Sequence, residues 1–178
     1  MEKRSHYLIQ FASLPLGLHN FEFHITDSFF QPFKASLINK ADVQVKVTLE
    51  KGNNNLQLLF DFKGLIHVTC VRCLDEFDIE LNEKRHLLVR QIEEVNEEAE
   101  EEEDIISIPL TTNEIDLVPH IYDYLNLMVP LSPTHPDKQN GSSGCNQESL
   151  KEMKQHLIDK NADQTDPRWE ILKKLKLK

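Results

Sequence analysis

Two thiols three residues apart, in Cys70-Val71-Arg72-Cys73, are the part of this sequence best equipped for chemistry. Alternating polar and apolar runs flank them on both sides. They therefore fall in a tight turn between two strands, where both sulfurs can reach one point. Two thiolates so placed supply half of a tetrahedral zinc site, which needs four ligands when closed. Cys145 is the one other cysteine, and His135 lies ten residues before it in the same loop. Cys70, Cys73, Cys145 and His135 are thus the candidate Zn2+ ligands. A second reading leaves them without metal, Cys70 as a small buried strand residue and Cys73 as a half-buried turn residue. The third is a thiol redox pair. Redox pairs of this spacing usually open a helix, whose dipole lowers the thiol pKa. Here a strand precedes the motif and Asp75-Glu76 follow it.

Other catalytic patterns are missing. The chain has no phosphate-cradling glycine loop, no HExxH and no nucleophile elbow. His24 and His67 are ordinary alternating strand residues. No catalytic residue is assigned, and the expectation is a protein that is not an enzyme; the alternative is a metal- or thiol-dependent enzyme or redox sensor using the Cys70–Cys73 turn. A second surface can bind instead: Arg168, Lys173, Lys174, Lys176 and Lys178 against Glu170 give the last residues a net +4, beside Trp169. Such lysines either complement the end of a helix dipole or face RNA phosphates or an acidic partner.

The elements that must position these residues are legible from periodicity. Tyr7, Ile9 and Phe11 share one face, followed by Phe21, Phe23 and Ile25. Val43, Val45, Val47 and Leu49 make the cleanest half-buried strand. Leu56 to Cys70 continues in phase, with a bulge or bend expected at Gly64. Between them Lys51-Gly52-Asn53-Asn54-Asn55 reads as a hairpin. Phe77, Ile79 and Leu81 open a strand that continues toward Leu87 and Val89, and Ile105–Leu110 predicts a short last strand. The period then changes. Asp116 can cap a helix bearing Leu117, Val118, Ile121, Leu125 and Met128, with Pro119 tolerated in the first turn and Pro130 ending it. Residues 131–147 are a Pro/Gly/Ser-rich linker. Leu150, Met153 and Leu157 mark a short amphipathic helix, and Asp166-Pro167 starts a last one with Trp169, Leu172 and Leu175 on one face.

The expected class is α+β: an antiparallel sheet or partial barrel in the N-terminal half, with helices in the C-terminal third. The expected units are a β-rich domain over 1–130, the linker over 131–147 and a helical segment over 148–178. At 178 residues the chain is too short for two full cores. It carries a net charge of −10, the wrong sign for a protein gripping DNA through its own field. The excess is local. Glu93 to Asp104 holds nine acids and no base, and without them the net charge would be −1. Such a run reads as a solvated loop, or as an acidic segment meeting a basic partner. Three cysteines fit a reducing compartment, and no apolar run approaches a membrane span, so the expected location is the cytoplasm.

Taken in order, Cys70-Val71-Arg72-Cys73-Leu74, the acidic stretch, Asp116-Leu117 through Leu127-Met128-Val129-Pro130-Leu131, His135, Cys145 and Asp166-Pro167-Arg168-Trp169 with Leu172 and Leu175 resemble the bacterial and plastid YceD family. That family is also named large ribosomal RNA subunit accumulation protein. The resemblance covers most of the chain, and its two end motifs are specific together. It implies a non-enzymatic cytoplasmic factor for accumulation or processing of large-subunit ribosomal RNA. The implied partner is a ribosomal precursor particle, a ribosomal protein or an rRNA-processing factor. The acidic net charge favours a protein partner and leaves direct RNA contact open. Cys70, Arg72, Cys73 and the Asp166–Leu175 helix are the family positions, and Arg72, Arg168, Trp169, Lys173 and Lys174 are the expected binding residues. The resemblance implies that some relatives carry extra cysteines in the C-terminal region, enough to complete two metal-binding pairs. This chain has Cys145 alone there, which excludes four thiolates.

Overall fold

The computed structural model describes residues 4–33, 36–93, 104–138 and 143–156. Three long strands form its centre: β3 (Ile38–Lys51), β4 (Asn55–Thr69) and β5 (Glu76–Ile92). With β2 (Gly17–Thr26) and β6 (Ile105–Pro109) they make an open five-stranded sheet in the order β2-β3-β4-β5-β6. The alternation explains why. Val45 lies opposite Phe62 and Val47 opposite Phe60, so one registered row of apolar side chains faces inward from each strand. All of these side chains are buried, and each contributes about 1.5–3 kcal/mol. Helix α2 (Val118–Met128) closes that face with Ile121, Tyr124 and Leu125. Asp116 accepts the Val118 N–H at 2.9 Å, satisfying a first-turn donor from one residue before the N-cap position itself, which Leu117 occupies. Tyr124 packs edge-on to Phe60 and donates its hydroxyl to the His86 carbonyl at 3.1 Å. A further pair, β1 (Leu8–Ile9) with β7 (Ile115–Asp116), ties the N-terminus to the start of α2. The class is therefore α+β, as the element order predicts.

Several local expectations give way. The sheet is not closed: β2 and β6 are its two edges. The β5–β6 pair is parallel, whereas the other pairings are antiparallel. A parallel neighbour requires the chain to travel back along β5, and a link of about a dozen residues is what such a crossover needs; residues 93–104 supply it. Gly64 is no bulge, because the β3–β4 register runs unbroken through Val43↔Gly64 and shifts instead between Ile38 and Lys40. Glycine is required there for contact: at φ +148 a Cβ would lie 2.1 Å from the Asp42 carbonyl oxygen. Tyr7 and Phe11 are buried as expected but belong to 3-10 turns flanking β1, since only Leu8–Ile9 finds a strand partner. A one-turn helix, α1 (Asp27–Phe30), escaped the periodicity; its Asp27 carboxylate accepts the Ala41 N–H at 2.9 Å. Helix α3 (Gln147–His156) buries no side chain fully: of its expected apolar stripe Leu150 packs against the cysteines, while Met153 is 38% exposed. Leu157, residues 94–103 of the acidic run and the Asp166–Leu175 segment lie outside the described residues. Among the described residues no helix is long and apolar enough to cross a membrane.

Candidate metal centre

The turn between β4 and β5 is built to point two sulfurs inward. Cys70 donates its N–H to the Asp75 carbonyl and Leu74 donates to the Cys70 carbonyl, both at 2.9 Å. Leu74 takes a left-handed φ of +63 to close this loop, and its side chain is 76% exposed. The Arg72 N–H points at Cys70 Sγ at 3.4 Å. Cys70 and Cys73 are buried as a result. The loop after α2 then docks against the turn, because Val71 donates its N–H to the Pro133 carbonyl at 2.9 Å. That contact carries His135 in, where its ring lies over Phe77 with centroids 4.7 Å apart. Cys145 arrives from the far end of the same loop. Gly144 allows it: a Cβ at that position would sit 2.3 Å from the Pro136 carbonyl oxygen. Ser143 Oγ accepts from the Cys145 N–H at 3.2 Å and from Arg72 Nη1 at 3.4 Å.

The four candidate ligands converge. Cys70 Sγ is 3.8 Å from Cys145 Sγ, Cys73 Sγ is 3.4 Å from His135 Nδ1, and all four donor atoms lie within 4.8 Å of one another. Zn–S bonds of about 2.3 Å and Zn–N bonds of about 2.0–2.1 Å in a tetrahedron put sulfurs about 3.8 Å apart and sulfur from nitrogen about 3.5 Å. The donor set and its spacing fit zinc. Electrostatics differ between the two turn cysteines. Burial pushes the Cys70 thiol up, but backbone N–H groups of Cys73, Arg72 and His135 donate to its sulfur and bring it down to about 6. Burial also pushes Cys73 up, and the neighbouring Cys70 and Cys145 thiols add to this, against N–H donation from Asn146 and Asp75. Backbone N–H groups aimed at the Cys70 and Cys73 sulfurs are the support that metal-ligating cysteines receive.

Sequence reasoning named these four residues and missed what holds them. Phe77, Pro133, Ser143 and Asn146 support the centre through contacts distant in sequence; only Gly144, adjacent to Cys145, carried a local signal. Arg72 sits exposed on the rim of the turn, bonded to Ser143. Arg168, Trp169, Lys173 and Lys174 lie outside the described residues. The three cysteines form an apolar cluster of their own with Phe77 and Leu150, apart from the main core.

What emerges is an α+β protein in which the β4–β5 turn and the loop after α2 bring four Cys/His side chains close enough to hold a metal ion. The sequence places it within that class. Residues 58–176 match the family described as Large ribosomal RNA subunit accumulation protein YceD, and the chain belongs to that family. The match spans all four donors and continues past α3. No curated protein and no solved structure matches the chain.

Proposed function

We propose that this chain is a non-enzymatic, cytoplasmic factor for assembly of the large ribosomal subunit, with a structural zinc ion held by Cys70, Cys73, Cys145 and His135. Membership of a family described by large-subunit rRNA accumulation carries the first half. The convergence of four donors supports the second. Four protein ligands complete a tetrahedron and leave no position for water or substrate, which is how structural zinc sites differ from catalytic ones. When bound, zinc supplies cross-linking between the β4–β5 turn and the 131–147 loop.

The working surface is the C-terminal segment. Trp169 is its apolar anchor, and Arg168, Lys173 and Lys174 are the charges that meet a partner. That partner is an acidic face of a ribosomal protein or processing factor within a precursor particle, since the chain's net charge of −10 repels bulk RNA. Two measurements test this. In cells lacking the protein, the full chain restores the ratio of large- to small-subunit rRNA, and a chain truncated after Asp163 does not. The full chain also co-purifies with precursor particles, and the contact to its protein partner survives ribonuclease. Full rescue by the truncated chain would remove the segment from the mechanism. Loss of all partners on ribonuclease treatment would make RNA the ligand.

A further inference from the structure

Helix α3 and the residues leading into it, 143–156, hold on to the rest of the molecule in an unusual way. The main apolar core of the sheet and α2 includes none of them. No side chain of α3 is buried. Among the described residues, the contacts joining this arm to the sheet converge on one point. Cys145 meets Cys70, the Asn146 N–H points at Cys73, Arg72 reaches Ser143, and Leu150 rests on the cysteine cluster. The hydrogen bonds that organise the arm are its own: Asn146 accepts the Glu148 N–H through its side chain and the Leu150 N–H through its carbonyl. A ten-residue helix without a buried face is marginal in water.

We infer that the centre is a clasp: metal binding docks the arm of residues 143–156 on the β4–β5 turn, and metal release frees the arm while the sheet stays folded. This rests on the zinc reading above and adds its consequence. The sheet has its own core and long registered strands, so it does not need the metal to remain closed at ordinary temperature. Among the described residues the arm has no other anchor.

Hydrogen exchange on the full-length chain tests this, after zinc per chain has been counted. With zinc bound and then stripped by EDTA, backbone amides of 143–150 exchange at least tenfold faster, while those of β3 and β4 change less than twofold. Cys145→Ser shows the same released arm in the presence of zinc, and Leu150→Ala keeps it docked. With zinc present at one per chain, two outcomes overturn the clasp alone: β3–β5 losing protection together with the arm, or the arm staying protected after EDTA. A chain that takes up no zinc overturns the zinc reading and the clasp together.

Discussion

Cys145 stands 75 residues from Cys70 in sequence, yet the sulfurs are 3.8 Å apart, so a metal held there would be a long-range cross-link. Its contribution follows by mass action. Free zinc at a thousandfold its dissociation constant stabilises the native state by about 4 kcal/mol, which for a chain of this size is about 10 °C in Tm. EDTA therefore lowers the melting temperature by about that amount, and Cys70→Ser or Cys73→Ser abolishes both zinc uptake and the EDTA response. Serine variants that lose only about 1–2 kcal/mol, with an EDTA response equal to the parent's, would show three packed apolar residues and no metal. Gly144 provides a second test at this scale. Its Cβ would meet the Pro136 carbonyl oxygen at 2.3 Å, so Gly144→Ala pushes Cys145 off the tetrahedron. Zinc affinity, measured by competition with a chromogenic chelator, falls about 10–100-fold, the range for lost support of a ligand. Unchanged affinity would mean that the loop adapts without moving the sulfur.

Within the elements, the sheet depends on close backbone approach as well as on apolar alternation. Gly64 on β4 lies against Asp42 and Val43 of β3, with the offending atoms all backbone. Gly64→Ala therefore destabilises by about 4 kcal/mol or more, in the exceptional tail of single substitutions. Chemical denaturation measures it, and a loss below about 1 kcal/mol would show that the strands can part without penalty. The acidic crossover from β5 to β6 makes the opposite prediction. Replacing Glu93–Asp104 by an uncharged Gly/Ser link of equal length preserves the span a parallel connection needs and removes like-charge repulsion. Stability shifts by no more than about 1 kcal/mol. Loss of a single cooperative transition in that variant would assign the acids to the folded core.

For the whole molecule, a basic terminus on an acidic body sets the expected salt dependence of binding. Trp169→Ala weakens association with the partner at every ionic strength, by about 2 kcal/mol or more if the ring fills a pocket. Charge reversal at Lys173 and Lys174 weakens it chiefly at low salt, where screening is weak and charges act over longer distances. Equal salt dependence for the two variants would take the lysines out of the contact. Much of the architecture was legible because it is local. Period-two alternation marked β3, β4 and β5, glycine and asparagine marked their hairpin, and a 3.6-residue stripe below Asp116 marked α2. The spacing of Cys70 and Cys73 named half a metal site for the same reason. What periodicity lacks is sequence-distant partnership. The parallel docking of β6, the close approach at Gly64 and the 3-10 setting of Tyr7 and Phe11 each depend on a neighbour that no local window contains. The completion of the centre belongs with them. His135 and Cys145 sit in a linker without pattern, and contacts such as the Val71–Pro133 hydrogen bond, the Arg72–Ser143 hydrogen bond and the His135–Phe77 ring contact bring them to the turn. By itself, the order of residues determined an α+β chain with a sulfur-bearing hairpin and a charged terminus. Tertiary structure decided that the sulfurs meet, because the distances between them are set by packing across the fold.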